Sequence, residues 1–185
     1  MVFDVQYSDK ILLDKCKQGN QQAFRQLVER HEQQVRATVI GMLGNQPVSM
    51  DVAQEVFIRF YKSINDFRGD AKLSTYLTRI AINLSLNELK RQQRQNNRFT
   101  FFSDYENPIQ LEDTSVNPEK QDTKELVHKA LQLLDPDFRS VVVLRMIDGY
   151  SVKEAAEILQ LPQGTIASRL ARGQKKLKEI LSKFL

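Results

Sequence analysis

Apolar residues between positions 53 and 84 return every three or four places. Ala53, Phe57, Phe60, Tyr61 and Ile64 make one stripe; Leu73, Leu77, Ile80, Ala81 and Leu84 make another. That period matches the turn of an α-helix rather than the alternation of a half-buried strand. Few strand signals occur elsewhere, so the expected fold is all-α. Leu43-Gly44-Asn45 and Phe67-Arg68-Gly69 read as turns between helices, and the first helical domain is expected to span residues 1–97.

A second module is expected at 125–185. In "LLDPDFRSVVVLRMIDGYSVKEAAEILQLPQGTIASRLARGQKKL", a helix runs from Phe138 to Met146 and turns at Asp148-Gly149. The next helix is capped by Ser151 with Glu154 three residues on, a capping box. Ala155, Ala156 and Leu159 give it an inner face small enough for close approach. Leu161-Pro162-Gln163-Gly164 breaks the chain, and Pro162 suits the first turn of a new helix, where its missing N–H would be unpaired in any case. Ile166, Leu170 and Leu177 then face inward. Gln163, Thr165, Ser168, Arg169 and Arg172 are left at the exposed N-terminal end, with Lys175, Lys176 and Lys178 behind them. Break, cap, small-residue packing and polar outer face agree with a helix-turn-helix, whose second helix enters the major groove while flanking cations hold phosphates. A helical hairpin for protein contact is the competing reading.

Charge separates the modules. Residues 71–98 hold six Lys and Arg against one Glu, and residues 163–185 hold six against one again. Between them, 99–125 holds two basic against seven acidic residues. Two basic segments around an acidic one suit a polyanion gripped at two places. The acidic stretch, with Pro108 and Pro118 and no sustained period, reads as a flexible linker over 98–124. The cluster Phe99, Phe101, Phe102 and Tyr105 suggests that its first part docks on something.

The helix entered at Ser74 or Thr75 has a second face, on which Arg79, Asn83, Asn87, Lys90, Arg91 and Arg94 fall opposite the apolar stripe. Cations neutralise phosphates and amides bond base edges, so the mixture suits nucleic acid; a solvated helix face is the plainer alternative. Tyr76 offers a ring on which an unpaired base can stack, or a boundary aromatic.

No metal or cofactor is expected. Cys16 is the only cysteine and the histidines are His31 and His128, so no disulfide framework or Cys/His zinc cluster forms within the chain. Cys16 reads as a partly buried helix residue and His31 as a packed or capping one. No Gly-rich phosphate loop or spaced Ser/His/Asp set points to catalysis. There is no apolar span and no signal-like N-terminus, so a cytoplasmic location without membrane insertion is expected.

Three stretches together resemble the extracytoplasmic-function (ECF) group of sigma-70 factors, the promoter-recognition subunits of bacterial RNA polymerase. They are "KQGNQQAFRQLVERH", "DVAQEVFIRFYKSINDFRGDAKLSTYLTRIAINLSLNELKR" and the helix-turn-helix quoted above. Their order around a variable linker is specific, and the resemblance covers nearly the whole chain. It implies that Asp51, Gln54, Glu55 and Arg59 meet the beta-prime clamp helices of core polymerase, with the beta flap as a further contact. Phe57, Phe60 and Tyr61 would supply the core behind that face. It also implies that Lys72, Ser74, Thr75, Tyr76, Arg79, Asn83, Asn87 and Arg91 lie near the melted -10 strand, from which a flipped base is captured. Gln163, Thr165, Ser168, Arg169, Arg172 and Lys176 would read the -35 duplex. The acidic linker would run through the basic interior of the polymerase. An anti-sigma protein is a further implied partner.

Three positions depart from the family pattern. Tyr76 stands where Trp is usual, keeping a stacking face of smaller area. Ala167 replaces a common Lys or Arg, and Met50 replaces a usual acidic residue beside Asp51. Two rivals remain. A serine recombinase would need an N-terminal α/β domain, which the helical periodicity opposes; a two-domain helix-turn-helix regulator acting without polymerase would leave "DVAQEVFIRFY" unexplained.

Overall fold

A computed structural model describes residues 8–102 and 123–184, with side chains for 8–95 and 123–184. Every regular element among them is helical. The order is α1 (Asp9–Lys17), α2 (Gln21–Leu43), α3 (Pro47–Ser63), α4 (Leu73–Phe102), α5 (Thr123–Gln132), α6 (Pro136–Val142), α7 (Val152–Leu159) and α8 (Gln163–Leu181). Helix α4 continues past position 97, and α5 begins inside the stretch read as linker. The side chains of Phe99, Phe101 and Phe102, and all of Tyr105, lie outside the described residues, as does the expected docking of that cluster.

Local chemistry accounts for the helix boundaries. Asn20 caps α2 by accepting the Ala23 N–H at 3.0 Å, and Pro47 opens α3. At α7 the capping box is complete: Ser151 Oγ accepts the Glu154 N–H at 3.2 Å, and Glu154 Oε2 accepts the Ser151 N–H at 2.9 Å. The expected helix over Phe138–Met146 differs in detail. It starts at Pro136 and loosens after Val142 into a π-helical turn, Val143–Ile147. Pro162 stands just before α8 rather than in its first turn; its carbonyl accepts the first helical N–H bonds, from Thr165 and Ile166.

Helices α1 to α4 enclose a core that includes Leu12, Leu27, Val39, Phe60, Leu77 and Ile82, each at most 1 % exposed. Asp9 in the first turn of α1 pins that helix to α2, pairing with Arg30 at 2.6 Å and His31 at 2.9 Å. His31 is thus a packed histidine, and Cys16 is buried with its thiol pushed above its ordinary range by burial. A second core joins Ala130, Leu131, Leu134 and Val142 to Leu177 of α8. There Gly173 allows α8 to approach α6: a Cβ at this position would stand 2.9 Å from Val142 Cγ2.

The two modules pack on one another. Tyr150, Ala155, Ile158 and Ile166 belong to the same continuous core as the residues of α1 to α4. Gly41, in the interior of α2, makes this contact close, since a Cβ there would meet the Val143 methyls at 3.0 and 3.1 Å. Polar groups sit in the seam with partners. Tyr150 Oη lies 2.9 Å from Thr78 Oγ1 and accepts from Gln34 Nε2 at 2.8 Å, and Thr38 donates to Asp148 Oδ2 at 2.9 Å. Arg145 donates to the Tyr150 carbonyl from the other side.

Candidate nucleic-acid and partner interfaces

On α3, Asp51, Gln54 and Arg59 are exposed and Glu55 half-buried. The four-residue spacing puts Asp51, Glu55 and Arg59 in one row, and Glu55 Oε1 accepts from Arg59 Nε at 2.9 Å. Phe57 and Phe60 are buried behind the row as expected. Tyr61 is not: it is 54 % exposed, its ring edge-on to Phe24 at 4.9 Å. Because Tyr61 directly follows Phe60, it turns about a quarter of the way round the helix, away from the core. With Ile58 and Met50, also exposed, it makes the surface of α3 partly apolar.

At the start of α4, Lys72, just before the helix, and Ser74 line a cleft of about 500 Å3 between α1 and the loop through Phe67, Arg68 and Gly69. Thr75, expected near DNA, is 5 % exposed and turned into the bundle. Tyr76 is half-buried. Its ring packs against Phe67 at 5.0 Å and Phe60 at 6.2 Å, and its hydroxyl lies 3.1 Å from Ser63 Oγ. This is the boundary aromatic of the plainer reading, and the ring is anchored rather than free. Asn83, Asn87 and Arg91 are exposed along the helix. Arg91 grips Glu88 with two bonds, at 2.7 and 2.8 Å, and this holds the Glu88 carboxyl below its ordinary range. Arg79 is half-buried and donates to the Glu157 carbonyl of α7 at 2.8 Å.

On α8, Gln163, Ser168, Arg172 and Lys176 are exposed, and Thr165 and Arg169 half-buried. Two of the cations are already paired within the module. Arg169 binds Asp137 at 2.7 Å; Lys176 binds Asp135 at 2.7 Å and stands 4.7 Å above the Phe138 ring. The bond from Lys176 pulls the Asp135 carboxyl below its ordinary range.

The α4 and α8 faces thus carry the expected mixture of cations and amides, and several of the cations are held in place by internal acceptors. Sequence reading missed the residues of the seam. Arg139, 5 % exposed, uses four hydrogen bonds to bind Met42, Gln132 and Leu134, and burial pushes its pKa down to about 10. Burial likewise raises Asp148 to about 6, against the lowering effect of the Thr38 hydroxyl. The signal available in the sequence was a charge embedded in an apolar helix run, as in "DFRSVVVL".

No helix among the described residues is long and apolar enough to cross a membrane. Residues 27–95 match the family model of sigma-70 region 2, and residues 124–177 match that of sigma-70 region 4. The chain is 32 % identical to the ECF RNA polymerase sigma-E factor of Escherichia coli K12, over 93 % of both chains. It is 30 % identical to the RNA polymerase sigma-H factor of Pseudomonas aeruginosa, over 97 % of both. Among solved structures it is similar to CnrH in complex with the cytosolic domain of CnrY, with a TM-score of 0.66, 28 % identity and coverage of 95 % and 97 %. It shares its fold with the sigma factor RpoE, solved in complex with the anti-sigma factor NepR from Bartonella quintana, with a TM-score of 0.64, 24 % identity and coverage of 86 % and 96 %. Helical modules, two basic helix faces and matches over nearly the full length agree: the chain belongs to the ECF group of sigma-70 factors, which direct promoter-specific transcription by RNA polymerase.

Proposed function

We propose that this sigma factor divides its work among three surfaces. The α3 row of Asp51, Gln54, Glu55 and Arg59 docks on the beta-prime clamp helices of core polymerase, while the second module meets the beta flap. The α4 face holds the -10 strand once it is melted. The α8 face reads the -35 duplex.

The observation that carries this reading is the construction of α4. A cleft opens beside Lys72 and Ser74 at its start, and Asn83, Asn87 and Arg91 continue exposed along the same helix. A base leaving the stack needs a pocket, and the strand behind it needs cations and amide donors. Tyr76, anchored by Ser63, Phe60 and Phe67, provides a preformed edge near that cleft rather than a ring that must be ordered on binding. Thr75, being buried, supports the helix start instead of touching the strand. On α8, Arg172 and Ser168 are presented openly, and Arg169 and Lys176 exchange their carboxylate partners for phosphates.

The chain acts as a non-catalytic subunit in the cytoplasm, where the polymerase performs phosphodiester synthesis. Because RpoE, which shares this fold, was solved with the anti-sigma factor NepR, an anti-sigma protein is proposed here as well. The test is run-off transcription from a promoter library by bacterial core polymerase with and without the chain. Initiation dependent on the chain at a shared two-element motif is expected. Unchanged initiation, together with duplex binding by the chain alone, would replace this reading with a regulator that acts without polymerase.

A further inference from the structure

The cleft at the start of α4 has two walls of different kinds. One is α1, which presents Asp9, Lys10, Leu13, Asp14 and Lys17. This wall is fixed, since Asp9 is tied to Arg30 and His31 of α2 while Leu12, Leu13 and Cys16 are buried. The other wall is the loop before α4. Its residues 68–71 are exposed and make no backbone hydrogen bond to other described residues, and Gly69 turns the chain at a φ of +81° with open space around it. Such a stretch takes its shape from its ends. At one end Leu73 is buried, and at the other Phe67 is held twice. The Phe67 ring packs on Tyr76 and Phe60 at 5.0 and 6.4 Å, and its carbonyl accepts from Lys17 Nζ at 2.9 Å. Ring contacts alone leave the peptide free to pivot; the charge-assisted bond from Lys17, 50 positions earlier, fixes it.

We propose that Lys17 is a positioning residue for promoter capture, a strut from α1 that holds the loop at the spacing a flipped -10 base enters. The proposal rests on the assignment of this cleft to that base. None of the residues assigned above to the -10 strand lies on α1, so the strut brings a further helix into the site. With the bond in place, the loop is ordered before the base arrives. Without it, the loop must be ordered as the base enters, and that entropic cost comes out of the affinity of capture. The role differs from that of a phosphate contact, although Lys17 is an exposed cation. A phosphate contact strengthens binding to every sequence alike and steepens its salt dependence. A strut changes only what the captured base contributes.

Abasic scanning separates the two. Core polymerase carrying the full chain is titrated with a forked promoter whose -10 non-template strand is single, intact or with one base removed at each -10 position in turn. Wild type is expected to lose about tenfold in affinity or more when the captured base is missing. In Lys17→Met that penalty should shrink to about twofold, while affinity for the abasic fork and the salt slope stay at wild-type values. Lys17→Arg keeps a donor long enough to reach the Phe67 carbonyl and should restore most of the penalty. A full penalty in Lys17→Met overturns the proposal. Equal weakening on intact and abasic forks, with the salt slope lower by about one, overturns it in favour of a phosphate contact. Should Lys17→Met melt earlier than wild type, Lys17→Arg is compared with Lys17→Gln, whose donor falls short of the carbonyl, and equal penalties in those two overturn the strut. Absence of any abasic penalty in wild type is a different result, which removes the base from the cleft and the proposal with it.

Discussion

Arg139 of α6 donates from Nη1 to the Met42 carbonyl, 97 positions earlier, at 2.5 Å, while Nη2 binds the Gln132 and Leu134 carbonyls at 2.6 and 2.9 Å. One guanidinium thus closes the corner between α5 and α6 and fastens it to the end of α2. Its pKa, though depressed to about 10, keeps it charged at neutral pH. Arg139→Met strands several buried acceptors and is expected to cost about 3 kcal/mol. Arg139→Lys should not rescue it, because a compact ammonium cannot reproduce the planar fork. Urea unfolding checks both variants, and a wild-type midpoint in either would refute the assignment.

Asp148 gives the seam a pH dependence. Its pKa is raised from 3.8 to about 6 mainly by burial, so the folded chain binds the proton more tightly than the unfolded chain does. The resulting stabilisation is complete below pH 3.8 and fades as pH rises through about 6, a change of about 3 kcal/mol. Asp148→Asn keeps an acceptor for Thr38 and carries no charge. It should match wild type near pH 4 and exceed it in stability at pH 7.5. Asp135 and Glu154, held low by Lys176 and Ser151, weaken the fold as pH falls. Both proteins share that effect, and it cancels in the difference. A flat difference profile would sink the prediction.

Gly173 sits where α8 crosses α6. Alanine there would gain about 1 kcal/mol of helix propensity, yet its Cβ would overlap a methyl of Val142, a β-branched residue with little room to turn. Gly173→Ala is therefore expected to destabilise the second module by about 1 kcal/mol net. Adding Val142→Ala should relieve the clash, so that a double-mutant cycle on melting temperature shows favourable coupling.

Glu55→Arg reverses one charge of the α3 row and breaks its bond with Arg59. The pair lies at the surface, Arg59 exposed and Glu55 half-buried, so the cost to folding should be within a few tenths of a kcal/mol. Core polymerase binding should fall about tenfold or more, since a misplaced interface charge repels its partner. Affinity equal to wild type, measured by fluorescence titration, would exclude this row from the contact.

Arg172 is exposed on α8, while Arg169 beside it holds Asp137. Arg172→Ala should weaken -35 binding and lower the salt slope by about one. Arg169→Ala should lower it less, because Arg169 must give up a carboxylate to reach a phosphate. Equal slopes for wild type and Arg172→Ala would show that Arg172 touches no phosphate.

The residues legible in advance were those whose signals are local. The Ser151–Glu154 box, the turns at 43–45 and 67–69 and the inward positions Ile166 and Leu177 all depend on neighbours within a turn or two. The exposed amides and cations of α4 and α8 followed from the same helical period. Thr75 and Tyr61 fell on the wrong side because both stand at the edge of an apolar stripe, where one step of about 100° decides between core and surface.

The identity and order of the helices, their caps and the chemistry of their outer faces are written in periodicity, breakers and charge, and these alone point to two DNA-facing modules. Tertiary structure decided how the modules meet. Tyr150 finds Thr78 and Gln34 at separations of 72 and 116 residues, and Asp148 finds Thr38 at 110. No local pattern encodes such partners. Hydrogen bonding across a seam depends on which helix faces come together in space, and only the packed chain brings Gly41 against Val143 and α4 across from α8.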